Sequence, residues 1–307
     1  MTLLGALPSR FRRERVLVVG CGDVGLRAAR QLMPRAKLIA LTSSTERRGE
    51  LRAAGCTPLL GNLDQPASLR RLAGIAHRVL HLAPPPADGM QGWHKDPRTL
   101  ALTRVLALRH PPKVLVYGST SGVYGDCEGA FVTETRALSP QTPRAQRRQD
   151  AEASVRALGK RVGVPWVILR IPGIYAIDRE GGTPVERLRR GTPVLEAADD
   201  VYTNHIQADD LARACVLALW RGGRQRCINV NDDTDLKMGD YFDLAADLYG
   251  LPRPQRLPRS TAQAQLPLVL LSFMSESRRL CNDRMKSELG LALRYPTVRD
   301  GLLPRTP

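Results

Sequence analysis

The sequence predicts an α/β protein, a doubly wound parallel sheet with a small, intertwined C-terminal lobe, and three observations predict it. Short apolar, β-branched runs alternate with helical patterns through the first half of the chain, the mark of parallel strands joined by crossover helices. The first run, Arg15 to Val19, passes straight into Gly20-Cys21-Gly22-Asp23-Val24-Gly25 and a helical pattern through Leu26, Ala29 and Leu32. A later run, Val114 to Tyr117, delivers Gly118-Ser119-Thr120-Ser121-Gly122, expected to be a small polar loop. It lies at the strand end where open α/β sheets bind ligands.

At 307 residues the chain can bury a sizeable core and is expected to hold two domains. Its 43% hydrophobic and 25% charged content reads as globular and soluble, and no run of about 18 apolar residues is present to span a membrane. The net charge of +16 raises nucleic acid as a partner, since a basic face displaces counterions from phosphates. The distribution argues against it: only six of the 46 basic residues are Lys, the other 40 Arg are spread along the chain, and aromatic residues make up 5%. Six cysteines lack C-x-x-C or Cys/His spacing, so neither a metal site nor a disulfide scaffold is expected, and a reducing cytoplasm fits. Arg12-Arg13 before an apolar run faintly imitates a twin-arginine signal, but residues 1–14 are read as a leader onto the first strand.

In the first βα turn, the first glycine permits the tight bend, the second lets backbone approach a pyrophosphate and the third allows close helix packing. With the helix N-terminus presenting free N–H groups, Gly20 to Gly25 read as a dinucleotide loop in a Rossmann fold, an ordinary βα turn being the plain alternative. A second strand, Lys37 to Leu41, ends at Thr42-Ser43-Ser44, about 20 residues past the glycines, where an acid on the ribose hydroxyls marks NAD enzymes. No acid stands there, and Arg47 and Arg48 follow. A guanidinium pairs with a 2′-phosphate by two hydrogen bonds, which favours NADP over NAD; alternatively both arginines merely open a solvated helix. A third strand, Thr57 to Leu60, runs into Gly61-Asn62-Leu63-Asp64, and a fourth, Arg78 to Leu82, into Ala83-Pro84-Pro85-Pro86. His77 and His81 have no ligand pattern around them and are read as structural. A loop over residues 88–97 and a helix from Leu100 to Leu108 lead into the Val114 strand.

Thr142-Pro143 marks a helix entry, Thr142 as N-cap and Pro143 in the first turn. Arg144, Arg148 and Glu152 then fall at i, i+4 and i+8 on one stripe. The Lys113 to Glu152 segment, with Leu169-Arg170 and Gly173-Ile174-Tyr175 later, resembles the extended short-chain dehydrogenases/reductases, the NAD-dependent epimerase/dehydratase relatives. The similarity covers nearly the whole chain. It implies an NAD(P) cofactor and a substrate bound between sheet and lobe. It places Thr120 as the hydroxyl that polarises the substrate oxygen, and the Asn62-Leu63-Asp64 turn and Ala83 beside the cofactor. Arg144 and Arg148 stand where the family has Tyr-x-x-x-Lys, and Glu152 matches a frequent Glu. Other departures are G-x-G-x-x-G for the more usual G-x-x-G-x-x-G, Asn62 for an acid, and Ser121-Gly122 where sugar dehydratases carry Asp-Glu.

Arginine stays protonated and offers no base, so the usual proton relay is missing. The two guanidiniums are suited to ribose, a phosphate or a substrate carboxylate, or to an oxyanion; Arg148 with Glu152 as a surface ion pair, worth at most about 0.5 kcal/mol, is the alternative. Tyr124, Tyr175 and Glu134 are the candidates for moving a proton. Cys127 has no neighbouring His in sequence and is not read as a nucleophile.

Towards the C-terminus, Pro165 to Ile171 is expected as a sixth strand, Asp209 or Asp210 as the cap of a helix from Leu211 to Trp220, and Cys227 to Val230 as a return to the sheet. Met238 to Tyr249 reads as a helix, and residues 262–274 as one buried helix. Asn204 to Leu211 resembles the family's N-R-I-H-V-D-D-L, with His205 and Gln207 replacing its Arg and His. The expected division is residues 15–172 plus 203–232 for the dinucleotide domain and 173–202 plus 233–307 for the lobe. The functional expectation is an NAD(P)-dependent oxidoreductase or epimerase, transferring hydride on a small polar or sugar-nucleotide-like substrate. The alternative is a non-catalytic dinucleotide-binding sensor or scaffold. No membrane partner is expected, and a homodimer is left open.

Overall fold

A computed structural model describes residues 13–33, 35–86 and 93–304. Nearly all of the expected leader, and residues 88–92 of the expected loop, lie outside the described residues. The first half alternates as expected: β1 Glu14–Val19, α1 Asp23–Leu32, β2 Ala36–Thr42, α2 Arg48–Ala53, β3 Cys56–Leu60, β4 Arg78–His81, α3 Pro97–Leu106 and β5 Val114–Thr120. Then follow β6 Phe131–Val132, α4 Pro143–Val162, β7 Trp166–Ile171, β8 Gly173–Tyr175, α5 Val185–Arg189, β9 Val194–Leu195, β10 Tyr202–Thr203, β11 His205–Gln207, α6 Ala208–Arg221 and β12 Arg226–Asn229.

Seven strands form one sheet in the order β12-β7-β5-β4-β1-β2-β3, and every neighbouring pair is parallel. The order reverses between β1 and β4, so the carboxyl ends of these strands flank the crevice of a doubly wound sheet. The continuous apolar runs follow from burial on both faces. Along β1, Val16 and Val18 pack with α1 and α6 residues such as Ala28 and Leu211, while Leu17 and Val19 face Leu102, Tyr117 and Val155 of α3, β5 and α4. A separate core joins Tyr175, Leu188, Val194 and Val201 to Met238, Tyr241 and Phe242 of α7 Met238–Tyr249. Short pairs tie the later chain back: β8 runs parallel to β11, and Arg279–Leu280 runs parallel to β6.

Four local expectations are corrected. Gly118, Ser119 and Thr120 are not loop but the last residues of β5, since the sheet continues through Thr120 opposite Ile171; a 3₁₀ turn over Ser121–Tyr124 follows. Gln207, not an aspartate, caps α6, its side chain accepting from the Asp209 N–H. Residues 262–274 are split into Arg259–Gln265 and Leu268–Phe273, because Pro267 has no N–H to continue the helix. Arg148 and Glu152 do not form a surface ion pair: Glu152 is fully buried and bonded elsewhere.

Candidate active site at the carboxyl ends of the strands

Gly20 takes φ +85, and a Cβ there would lie 2.2 Å from the Ala83 nitrogen, so only glycine lets β1 turn beneath the β4 loop. That loop is pinned back onto β1, the Ala83 N–H donating to Val19 O at 3.1 Å. At Gly22 a Cβ would meet nothing within 4 Å; the residue is the N-cap of α1 and supplies no side chain. A bare backbone facing open space at a helix N-terminus fits a dinucleotide's diphosphate. The Cys21 thiol is buried and kept protonated by the adjoining Cys56 thiol and by desolvation, so Cys21 offers the loop only its backbone.

Asp23, Val24 and Gly25 open α1. Asp23 is neutralised from two sides, by Arg27 Nε at 2.8 Å and Arg179 Nη1 at 2.6 Å. Arg27, itself buried, also reaches Asp178 and Asp209 at 2.7 Å each, joining the glycine-turn helix to the chain after β8 and to the start of α6. Arg47 Nη2 donates to Cys21 O at 2.8 Å while Nε holds Glu50, which sets its guanidinium at the edge of the glycine turn. Thr42 is buried, its hydroxyl bonded to Ser44, and Ser43 is exposed beside it. Asn62 turns inward on itself, its Oδ1 accepting from the Asp64 N–H; Leu63 is half-buried, and Asp64 holds Arg98 at 2.6 Å.

A cleft of about 460 Å³ opens at the ends of β4, β5 and β7, beside Val24 of the glycine turn. Its walls are Leu82, the Pro84 to Pro86 triplet, Ile171, Pro172 and Ile174, and its polar floor is Gly118, Ser119 and Thr120. Three arginines of α4, Arg144, Arg147 and Arg148, line the other side, and among the described residues no aspartate or glutamate does. Arg148 Nη1 donates to Gly118 O at 2.7 Å and to Tyr117 Oη at 3.1 Å; burial pushes that phenol up to about 12. Arg147 is buried and donates to Trp93 O at 2.9 Å. Arg144 lies in the first turn, exposed to solvent.

The two hydroxyls on the floor differ. Ser119 donates to Glu152 Oε1 at 2.7 Å, so its proton is taken. Thr120 Oγ1 accepts from the Gly122 N–H at 3.2 Å, which leaves its own O–H to be given. Beneath the floor Glu152 also binds Arg170 and Arg156, which hold its carboxyl below the ordinary range despite burial. His81 is fully buried; its Nε2 contacts Thr99 Oγ1 at 2.9 Å, and because that hydroxyl donates to Asp96, the ring is assigned as the Nε2–H tautomer.

The structure thus brings together Thr120, Arg144, Arg148, Val24 and the glycine turn. It does not bring Tyr124 or Tyr175 to the cleft. Tyr124 is buried between Asn229 and Arg170, its phenol pushed up to about 12 by burial, and Tyr175 donates to Thr297 O. Glu134 is likewise engaged below the site, accepting from the Asn229 N–H. Sequence reasoning missed Arg147, which the i, i+3 spacing from Arg144 would have flagged.

The NAD dependent epimerase/dehydratase family matches residues 16–230. A 3-diazoavenalumate denitrifying reductase from Streptomyces is 30% identical over 140 residues, a match spanning 44% of this chain and 45% of that relative. A conserved protein of unknown function from Silicibacter pomeroyi is 29% identical with a TM-score of 0.76, covering 94% of this chain and 96% of that one. UDP-glucuronic acid 4-epimerase from Bacillus cereus, solved with NAD, shares the fold at 18% identity and a TM-score of 0.72, covering 94% and 96% of the two chains. With two thirds of its length matched by that family, the chain belongs to the NAD-dependent epimerase/dehydratase family.

Proposed function

We propose that this protein is an NAD(P)-dependent oxidoreductase that transfers hydride on a small substrate held in the arginine-lined cleft. The observation that carries it is the cleft's position, at the switch point of the sheet and open to a glycine turn whose middle glycine faces empty space. The diphosphate is assigned to the backbone of Gly20 to Gly25, and the adenosine end to Thr42, Ser43 and Arg47, with Asn62, Leu63 and Ala83 alongside. Arg47, at the edge of the turn with no acid at the end of β2, favours NADP over NAD. A bound nicotinamide supplies or accepts the hydride. Thr120 gives a hydrogen bond to the substrate oxygen, and Arg144 and Arg148 stabilise negative charge that develops there. With neither tyrosine nor carboxylic acid among the described residues of the lining, the proton that balances hydride addition to a carbonyl is assigned to solvent, passing through Thr120.

Tyr124 and Tyr175 are assigned to packing rather than chemistry. The dinucleotide domain is assigned to residues 15–172 plus 203–232 and the substrate lobe to 173–202 plus 233–307, which the separate core around Tyr241 supports. Six free thiols suit a reducing cytoplasm. No helix among the described residues is long and apolar enough to cross a membrane. The second reading, a dinucleotide-binding sensor, is favoured by that same lack of a tyrosine or carboxylic acid among the described residues of the lining.

The test is to titrate NADPH and NADH into wild type and Gly22→Leu while following nicotinamide fluorescence. Gly22 has ordinary φ of −83, so leucine folds but fills the open face, and dinucleotide affinity falls at least about tenfold, 1.4 kcal/mol. Equal affinity in the two proteins contradicts the assignment. Tight binding with no turnover across a carbonyl and sugar-nucleotide panel selects the sensor.

A further inference from the structure

We propose that Arg179 is a side-chain ligand of the dinucleotide's diphosphate, brought to the glycine turn by the chain that follows β8, an inference that rests on the cofactor assignment above. Arg47 reaches the turn at Cys21 O, and Arg179 reaches its other end, where Nη1 donates to Asp23 Oδ2 at 2.6 Å. Asp23 directly follows Gly22, where a Cβ would meet nothing within 4 Å. The Arg179 guanidinium is thus tethered one residue from the bare backbone to which the diphosphate is assigned.

The two arginines that hold Asp23 differ in what they have left to give. Each of the three Arg27 nitrogens donates to a carboxylate, of Asp23, Asp209 and Asp178, and the side chain is 8% exposed. Among the described residues Arg179 donates only through Nη1, and it is 31% exposed, so Nε and Nη2 remain to meet an anion in a two-bond fork. Its backbone is set before a ligand arrives. Ala176 is fully buried, its N–H donates to Gly182 O at 3.1 Å, the Gly182 N–H donates to Arg179 O at 2.9 Å, and Arg27 holds Asp178 at 2.7 Å. Ordering a loop is a large part of what binding costs, and here that order already exists.

Asp23 sharpens the question. A carboxylate in the first turn of α1 repels a ligand's phosphates, and pairing with Arg27 and Arg179 offsets that charge. If Arg179 did no more than neutralise Asp23, removing both charges together would leave dinucleotide binding intact. If it also touches the diphosphate, removing both would not.

The experiment is calorimetric titration of NADPH, NADH and ADP-ribose, which share the diphosphate and differ in 2′-phosphate and nicotinamide. The proteins are full-chain wild type, Arg179→Gln, Arg179→Lys, Asp23→Asn and Asp23→Asn/Arg179→Gln. Arg179→Gln is expected to weaken every one of these ligands that wild type binds by the same factor, at least about fivefold, with an unchanged circular dichroism spectrum. Arg179→Lys, which keeps the charge and loses the fork, falls between the two. Asp23→Asn binds at least as tightly as wild type, and the double variant at least about fivefold more weakly than Asp23→Asn. Arg179→Gln within twofold of wild type, a loss confined to some of the ligands bound, or a double variant that matches Asp23→Asn overturns the proposal. Wild type that binds none of the three removes the cofactor assignment, and this inference with it.

Discussion

Replacing Glu152 tests whether the floor of the cleft rests on a buried charge pair. Its carboxylate is fully buried and accepts four hydrogen bonds: Ser119 Oγ at 2.7 Å, Arg156 Nη2 at 2.8 Å, and Arg170 Nη2 and Nε at 3.0 and 3.2 Å. Glu152→Leu leaves Arg170, 2% exposed, with only Tyr124 Oη and Glu134 O as acceptors, and leaves the Ser119 hydroxyl without its acceptor. Stranding one partner of a buried pair costs about 3–5 kcal/mol. At ~2.1 cal/mol/K per residue, over 307 residues, that lowers Tm by about 5–8 °C. Urea denaturation followed by circular dichroism reads the loss. The double variant Glu152→Leu/Arg170→Leu removes both charges and is expected to be less destabilised than the sum of the single variants by at least about 2 kcal/mol. Since the folded carboxyl lies below its unfolded value, its contribution is present above about pH 4.3 and is lost as pH falls through the folded value. A single variant within about 1 kcal/mol of wild type, or strict additivity in the cycle, refutes the reasoning.

Three further outcomes follow from the geometry. Gly20→Ala combines a positive φ with a backbone collision at Ala83, and should destabilise the protein by about 1–3 kcal/mol in the same urea assay, unlike Gly22→Leu. Burial holds His81 down to about 3 and His205 to about 4, so the unfolded chain takes up protons below about pH 6.5 that the native state refuses. Stability should therefore fall from pH 6.5 towards pH 4, and His81→Asn/His205→Asn should flatten that limb by up to about 1.4 kcal/mol per pH unit for each histidine. Asp232, held up at about 7 by burial, works in the opposite direction across that window, offsets one of the two histidines there, and remains in the variant. Arg47→Gln should weaken NADPH at least about fivefold while leaving NADH within twofold, which fluorescence titration distinguishes.

Sequence periodicity carried the sheet because buried parallel strands are apolar on both sides, and β1 through β5 announce themselves one by one. The glycine loop was equally legible, since its spacing encodes a backbone shape rather than a contact. What periodicity could not supply was partner choice. Arg148 and Glu152, one turn apart on α4, look like a surface pair, yet one turns to Gly118 O and the other to Arg170 of β7, 18 residues away. Tyr124 and Tyr175 sit next to motif residues in sequence, but the 3₁₀ turn after β5 and the strand β8 turn their phenols into the packing around Asn229 and Thr297. Gly118-Ser119-Thr120 have loop composition, yet their pairing with Leu169-Arg170-Ile171 carries β5 three residues past Tyr117. Arg147 belongs to the site only because α4 begins at Pro143 and sets its first two turns against the cleft.

The most direct measurement of the central claim is a crystal structure of the protein soaked with NADPH. The account predicts the diphosphate against the bare backbone of Gly22, the 2′-phosphate beside Arg47, and the nicotinamide in the cleft between the Pro84 to Pro86 loop and Thr120. A dinucleotide bound elsewhere, or a cleft that stays empty at saturating NADPH, contradicts it.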